Sequence, residues 1–432
     1  MFYNYGRRYL RFMLEKTLKS MSIYERTARL CRLLEKEEAV SGEYARAEIL
    51  KKKLERKDMT VAVIGQFKRG KSALANRILD EAVMPVGIVP ITSAVTKVKA
   101  GEKRTEVHYE NGKVEEVAPE DLHFYISEQE NKNNELGIKE VVMHAPSKFL
   151  SEGLTFVDTP GVGSFHKNNT EVAYDNMKES DAVIFLLSVD SPINQIEIDF
   201  LKSTRDFAAK FYFAVNKIDS VSREELSVYL EYCKTVLGQI TGETAEMFPV
   251  SAKTGEGVEE LKDAIIKDLR LKPQEIMEES TAMKLVDLID DAIEQLNFYW
   301  KAMNMEYGEL DVRFEEIEKT LDSIKKRAED CAGGYNLFLN EFKRELSAKV
   351  RGLFGMEYHY DIDLLKIGLT ELGREEFLLR TEELCDDLAK TLNRILLYRE
   401  ENAYTVCRRI NAINRLTREI RRIRDSLRKE GR

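Results

Sequence analysis

The sequence predicts an α/β domain, a mostly parallel sheet with helices on both faces, joined to an extended α-helical bundle arm. Three observations carry this. Between Met59 and Lys272 short apolar runs alternate with amphipathic stretches, the pattern of strands buried on both faces and of the helices that cover them. After Pro273 apolar residues step by three or four through most of the remaining chain. The 432 residues include only 8 Pro and 23 Gly while 33% are charged, a balance that favours long helices over an all-β or disordered chain. A chain of this length also exceeds what one core usually organises, so two or more folded units are expected.

Residues 1–58 read as N-terminal helices that join the bundle, interrupted at Ser41-Gly42. The α/β domain is assigned to 59–272. Its strand runs are Val61–Ile64, Leu154–Val157, Ala182–Leu187, Phe211–Val215 and Phe248–Val250, with helices near 193–209, 222–237 and 257–270. Asn111-Gly112, between Glu106–Glu110 and Lys113–Val117, marks a hairpin. The helical arm is assigned to 273–432. It is read as one helix from 278 to 331 ended by Gly333-Gly334, a shorter one over 335–354, and a second long stretch over 374–429.

If the two long helices run out and back, residues 333–373 form the distal tip. Its Leu353, Phe354, Met356, Tyr358, Tyr360, Ile362, Leu364, Leu365, Ile367 and Leu369 are expected to cap the bundle core; contact with a lipid interface or a partner is the sharper alternative.

Charge is unevenly spread. The formal net charge is −9, but residues 1–58 carry +6, residues 405–432 carry +7, and the middle carries −22. This excludes a uniformly basic surface, and no nucleic-acid partner is expected. Arg408, Arg409, Arg415, Arg418, Arg421, Arg422 and Arg424 surround an apolar seam. They suit either a membrane-surface helix or a bundle helix pairing with the acidic middle, and the second reading is favoured. The five cysteines are odd in number and lack any C-x-x-C pair, which fits reduced thiols in a cytoplasmic protein. No stretch reaches the ~18 consecutive apolar residues of a spanning helix, so membrane contact is expected only as a peripheral visit to the inner face.

The chemistry sits in short motifs. Gly65-Gln66-Phe67-Lys68-Arg69-Gly70-Lys71-Ser72, after a strand and before a helix that continues through Ala73, satisfies G-x-x-x-x-G-K-[ST]. Glycines let the backbone amides turn toward a β-phosphate, assisted by the positive end of the helix. Lys71 bridges β- and γ-oxygens, and the Ser72 hydroxyl ligates Mg²⁺. Asn216-Lys217-Ile218-Asp219 chooses the base. The Asp219 carboxylate accepts from the ring N–H and exocyclic amine of guanine, whereas adenine would leave it unpaired. Lys217 lies over the base, and Ser251-Ala252-Lys253 offers a backbone amide to the guanine oxygen. These motifs, each after a strand, specify a P-loop GTPase domain.

Asp158-Thr159-Pro160-Gly161 closes another strand. Asp158 holds Mg²⁺ through a water, and the Gly161 amide senses the γ-phosphate, so hydrolysis releases the loop that follows. Thr92 is the candidate for the second Mg²⁺ and γ-phosphate contact, ahead of Thr96. Val162 stands where many signalling GTPases carry a water-orienting Gln, so another group must offset charge between the β- and γ-phosphates. Lys68 is the first candidate and Arg69 the second; solvated cations that only raise nucleotide affinity are the equal alternative.

On these residues the chain resembles the bacterial dynamin-like GTPases. The resemblance rests on the helix before the phosphate loop, Gly65–Ser72, Pro85–Ser93, Asp158–Gly161, Asp181–Asp190 leading into Glu197–Leu201, and Asn216–Asp219. It implies a mechanochemical GTPase that converts GTP to GDP and phosphate, dimerises through its G domain into a pair or higher oligomer, and remodels an anionic membrane. It also implies a second dynamin-like protein as partner. Catalysis would then involve Lys68, Lys71, Thr92 and Gly161. In dynamins the position similar to Lys68 helps hold a monovalent cation, so a fixed charge there implies hydrolysis without potassium or sodium. The chain departs from the family in a shorter arm with no hydrophobic insertion. The alternative readings are a GTP-switched scaffold or regulatory module with slow turnover and no membrane action, and a ribosome-associated GTPase, for which no RNA-binding domain is recognised.

Overall fold

The computed structural model describes residues 17–84, 95–126, 130–131, 134–150, 153–162, 167–205, 207–242, 244–360 and 372–428. The chain divides into two units. One is contiguous, Arg56–Met283; the other joins residues up to Glu55 with those from Lys284 onward.

The contiguous unit is built on a sheet of order β4-β3-β5-β2-β6-β1-β7-β8-β9. The strands are β1 (Met59–Ile64), β2 (Val95–Ala100), β3 (Arg104–Tyr109), β4 (Val114–Val117), β5 (Ile138–Ala145), β6 (Leu154–Asp158), β7 (Ala182–Ser188), β8 (Lys210–Asn216) and β9 (Met247–Pro249). From β6 through β1, β7 and β8 to β9 every pairing is parallel. β2 runs antiparallel to β6 and parallel to β5, and the β3–β4 hairpin closes the far edge. Each apolar run named from the sequence falls in one of these strands, except that Val250 lies one residue beyond β9. β7 is buried at all seven positions because helices cover both sides.

The covering helices follow from alternation along the strands. Val61, Val63, Ile184 and Leu186 share a core with Leu74 and Ile78 of α3 (Lys71–Leu79) and with Leu261 and Ile265 of α8 (Val258–Leu271). α5 (Lys167–Glu179) packs on β1, and its Tyr174 meets Phe200 of α6 (Gln195–Thr204) edge to face at 6.5 Å. α4 (Leu122–Ile126) and α7 (Arg223–Thr241) complete the described helices between β4 and β9.

The other unit is helical. It holds α1 (Ile23–Leu34), α2 (Ser41–Arg56, through Glu55), the part of α9 (Pro273–Met303) from Lys284, α10 (Tyr307–Glu329), α11 (Tyr335–Phe354), α12 (Arg374–Glu400) and α13 (Ala403–Arg428). Two long helices expected from the spacing are each broken. Between α9 and α10, Asn304 turns its side-chain amide back onto the Trp300 carbonyl at 2.7 Å, and Glu306 is extended at φ −65° and ψ 150°. Between α12 and α13, Asn402 Oδ1 accepts from the Thr405 amide at 3.0 Å. An asparagine that satisfies local backbone groups ends a helix without disturbing apolar spacing, which is why periodicity runs through both breaks.

The basic end is held by the bundle. Arg424 and Arg428 of α13 both reach Asp290 of α9, and Glu419 bridges Arg422 to Arg29 of α1. Arg26 of α1 donates to the Ser426 carbonyl oxygen of α13. At the expected tip Phe354 is buried against Phe298, with ring centroids 5.1 Å apart, and the Tyr358 hydroxyl donates to Thr391 Oγ1 at 2.9 Å. Tyr360 is buried as well. Ile362, Leu364, Leu365, Ile367 and Leu369 lie outside the described residues.

Candidate functional site

Four strand ends converge. Gly65 follows β1 so closely that a Cβ there would come within 2.5 Å of the Leu186 carbonyl oxygen of β7. The loop 66–70 then turns through Lys68 (φ 66°) and Gly70 (φ 94°), both left-handed, into α3. Glycine meets that demand freely at 70; a lysine meets it at a cost. Val162 pairs with Gln66, its amide donating to the Gly65 carbonyl oxygen at 3.2 Å.

On the phosphate side Lys71 is buried, and its ammonium donates to the carbonyl oxygens of Gly65 (3.0 Å) and Gln66 (3.3 Å). Burial pulls this ammonium down to about 8, against the opposing pull of Asp158. Ser72 donates to Asp158 Oδ2 at 2.6 Å, while Oδ1 of the same carboxylate is buried with no partner. Burial raises the Asp158 carboxyl above the usual aspartate range, with Lys71 and Ser72 opposing. A hydroxyl and a half-satisfied carboxylate are hard oxygen donors. They fit magnesium, which takes one or two protein oxygens and completes its shell from phosphates and water. Among the described residues no cluster of three or more His, Cys, Asp and Glu offers a metal cage of protein groups alone.

On the base side Asn216 donates through Nδ2 to the Arg69 carbonyl oxygen (2.9 Å) and accepts through Oδ1 from the Ala252 amide (2.9 Å). Lys217, itself left-handed at φ 66°, donates to the Lys68 carbonyl oxygen at 2.8 Å and to Asp190 at 2.5 Å. Burial acts to raise the Asp190 carboxyl, yet Lys217 and Ser188 hold it below its ordinary value. Ser251 donates to Asp219 Oδ1 at 2.7 Å, orienting that carboxylate, and Lys253 is largely exposed nearby.

Residues 61–219 match the model of the Dynamin family. A protein of the xynA 3′ region of Caldicellulosiruptor sp. (strain Rt8B.4) is 36% identical over 206 residues, an alignment covering 47% of this chain and 51% of that one. Dynamin-like protein 2 of Campylobacter jejuni is 29% identical over 294 residues, covering 63% and 47%. The solved structure of an oligomerised bacterial dynamin pair, described as a mechanism for long-range sensing and tethering of membranes, aligns over 99% of both chains. Its TM-score is 0.54 at 15% identity, a likeness of fold. The likeness to the dynamin family is carried by residues 61–219. The chain spans about half the length of the curated relatives it matches.

Hydrogen bonds and close backbone approaches link Gln66, Phe67, Lys68, Gly70, Lys71, Ser72, Asp158, Gly161, Asn216, Lys217, Asp219, Ser251 and Ala252 with their neighbours at the strand ends. Gly161 is so close to Phe67 that a Cβ would lie 2.8 Å from that residue's backbone. Thr92 lies outside the described residues. Arg69 requires a correction as a candidate for the charge between phosphates. Its guanidinium is only 2% exposed and points away, paired with Glu197 at 3.0 and 2.8 Å. Lys68 is the exposed cation of the pair, its ammonium 5.5 Å from the Phe67 ring centroid. Sequence reasoning assigned no role to Glu197, Asn194 or Ser191. The signal available was Asn194-x-x-Glu197, a helix-capping box ahead of α6.

Proposed function

We propose that this chain, dynamin-like over residues 61–219, binds GTP with magnesium and hydrolyses it to GDP and phosphate, using the pairing of two G domains to drive change at a membrane surface. The observation that carries the nucleotide reading is the linkage through Asn216. One side chain fastens the phosphate loop to the segment holding Ser251, and Ser251 orients Asp219 for a guanine edge.

In this reading the amides of Phe67 through Ala73 cradle the β-phosphate. The Lys71 ammonium exchanges its bonds to two loop carbonyls for phosphate oxygens, whose negative charge favours the charged amine against the effect of burial. Ser72 and Asp158 are the residues that would hold magnesium, which supplies charge neutralisation at the β- and γ-phosphate oxygens. The Gly161 amide and Thr92 report the γ-phosphate. Asp219 reads the guanine donors, the Ala252 amide and its neighbours Ser251 and Lys253 frame the base, and Lys217 lies over it. Lys68, the exposed cation of the loop, offsets charge as the β–γ bond breaks.

Fluorescent GDP and GTP titrations, with ATP as competitor, test the core of this reading. Wild type should favour guanine nucleotides over ATP by orders of magnitude, and Asp219→Ala should erase that preference. Lys68→Ala with unchanged GTP affinity and unchanged turnover across protein concentration would remove Lys68 from the chemistry. Liposome sedimentation alongside turnover tests the mechanical part. Membrane binding with a rate that rises on self-association supports it, whereas neither effect leaves a GTP-switched scaffold.

A further inference from the structure

Arg69, in the phosphate loop, is buried with all three guanidinium nitrogens engaged. Its Nε and Nη2 fork onto Glu197, whose side chain is fully buried, at 3.0 and 2.8 Å. Nη1 donates to the Ser188 carbonyl oxygen at 3.2 Å, the Ser191 carbonyl oxygen at 2.9 Å and the Ser191 hydroxyl at 2.7 Å, and Nη2 also reaches the Pro192 carbonyl oxygen at 3.3 Å. One guanidinium thus gathers the whole turn between β7 and α6 onto the back of the phosphate loop.

The same turn is fastened twice more. Asn194 Nδ2 donates to Gln66 Oε1 at 2.8 Å, and Asp190 accepts from Lys217, which itself holds the Lys68 carbonyl oxygen. Glu197 also accepts from the Asn194 amide at 3.1 Å and so caps α6 while it pairs with Arg69. The turn 188–197 touches the phosphate loop and the base-reading lysine together.

We infer that Arg69 and Glu197 are positioning residues for nucleotide binding, locking the phosphate loop to the 188–197 turn so that its amides and Lys217 face the ligand before it arrives. This rests on the guanine-nucleotide reading above. A buried ion pair adds little net stability against an apolar pair of equal volume. A planar fork with five donors does fix orientation, which lysine cannot imitate.

The test uses the full chain with Arg69→Lys, Glu197→Gln and the double variant, each checked for a cooperative thermal transition. Each single variant is expected to weaken GDP and GTP equally, about 10-fold to 100-fold, the usual span of coupling between linked elements. The double should be no weaker than the poorer single, and kcat at saturating GTP should stay within about twofold of wild type. Hydrogen exchange of wild type with and without GDP gives a second measurement that survives a misfolded variant. Amides of 188–197 should slow together with those of 66–72.

Wild type that binds no guanine nucleotide overturns the functional reading and this inference with it. Wild type that binds, with both singles unchanged in affinity, overturns the inference alone. So does a fall in kcat at unchanged affinity, which would put Arg69 on the reacting atoms, and so does a turn whose exchange ignores GDP.

Discussion

The Asn216 side-chain amide donates to the Arg69 carbonyl oxygen at 2.9 Å, and Gly70 stands directly beneath it. A Cβ at position 70 would lie 2.4 Å from Asn216 Nδ2, on a backbone already at φ 94°.

Gly70→Ala should therefore fail on two counts. Left-handed strain costs about 1–2 kcal/mol for an L-residue, and the clash forces Asn216 off the loop. Calorimetry should show a lowered midpoint, and fluorescent GDP should bind at least about tenfold more weakly, since a small displacement of a binding loop is felt strongly.

The half-satisfied Asp158 carboxylate predicts a metal dependence. Chelation of magnesium should speed dissociation of labelled GDP from wild type. Asp158→Asn should show fast dissociation already, with little further response to the chelator. An unchanged chelator effect in the variant would remove Asp158 from the metal site.

Buried thiols predict a stepwise titration. Cys31, Cys233, Cys331 and Cys385 are buried and Cys407 is exposed. Burial holds Cys31 and Cys385 up at about 12 and Cys233 at about 11, far from thiolate at neutral pH. A disulfide reagent should modify one thiol quickly in native protein and all five after denaturation.

Glu37, between α1 and α2, predicts a pH effect. Burial raises its carboxyl above the usual range despite the Ala39 amide, Arg409 and Arg394, with Glu38 adding to the rise. The folded state then holds this proton more tightly than the unfolded one, so its contribution is fully present in acid and lost as pH rises through the folded value. Glu37→Gln should unfold at a higher temperature than wild type at pH 7.5, and the gap should close near pH 4.

The sequence revealed the parallel core readily because β1, β6, β7 and β8 are mostly apolar and carry no charge within the run. Neither β2 nor β5 carries such a run. Lys97 and Lys99 in one, and Lys139 and Glu140 in the other, break the apolar run, and Lys97 and Glu140 pair at 2.7 Å. The residues of the nucleotide motifs were legible because phosphate and guanine demand particular atoms at fixed spacing. The fate of Arg69 was not, since nothing local distinguishes an arginine aimed at a phosphate from one aimed at a glutamate 128 positions later. The helix breaks at Asn304 and Asn402 escaped for a related reason: each keeps apolar spacing intact while its side chain diverts the backbone.

The contact between Arg26 and Ser426 joins residues 400 positions apart. A chain leaving the ribosome finishes Arg56–Met283 early, and that contiguous unit can close at once. The helical unit has no such freedom. α1 is made before the contiguous unit, and the face it packs on α13 waits until that helix has been made. Synthesis order therefore separates the two units in time: the contiguous unit can close before α13 has been made, and the helical unit cannot.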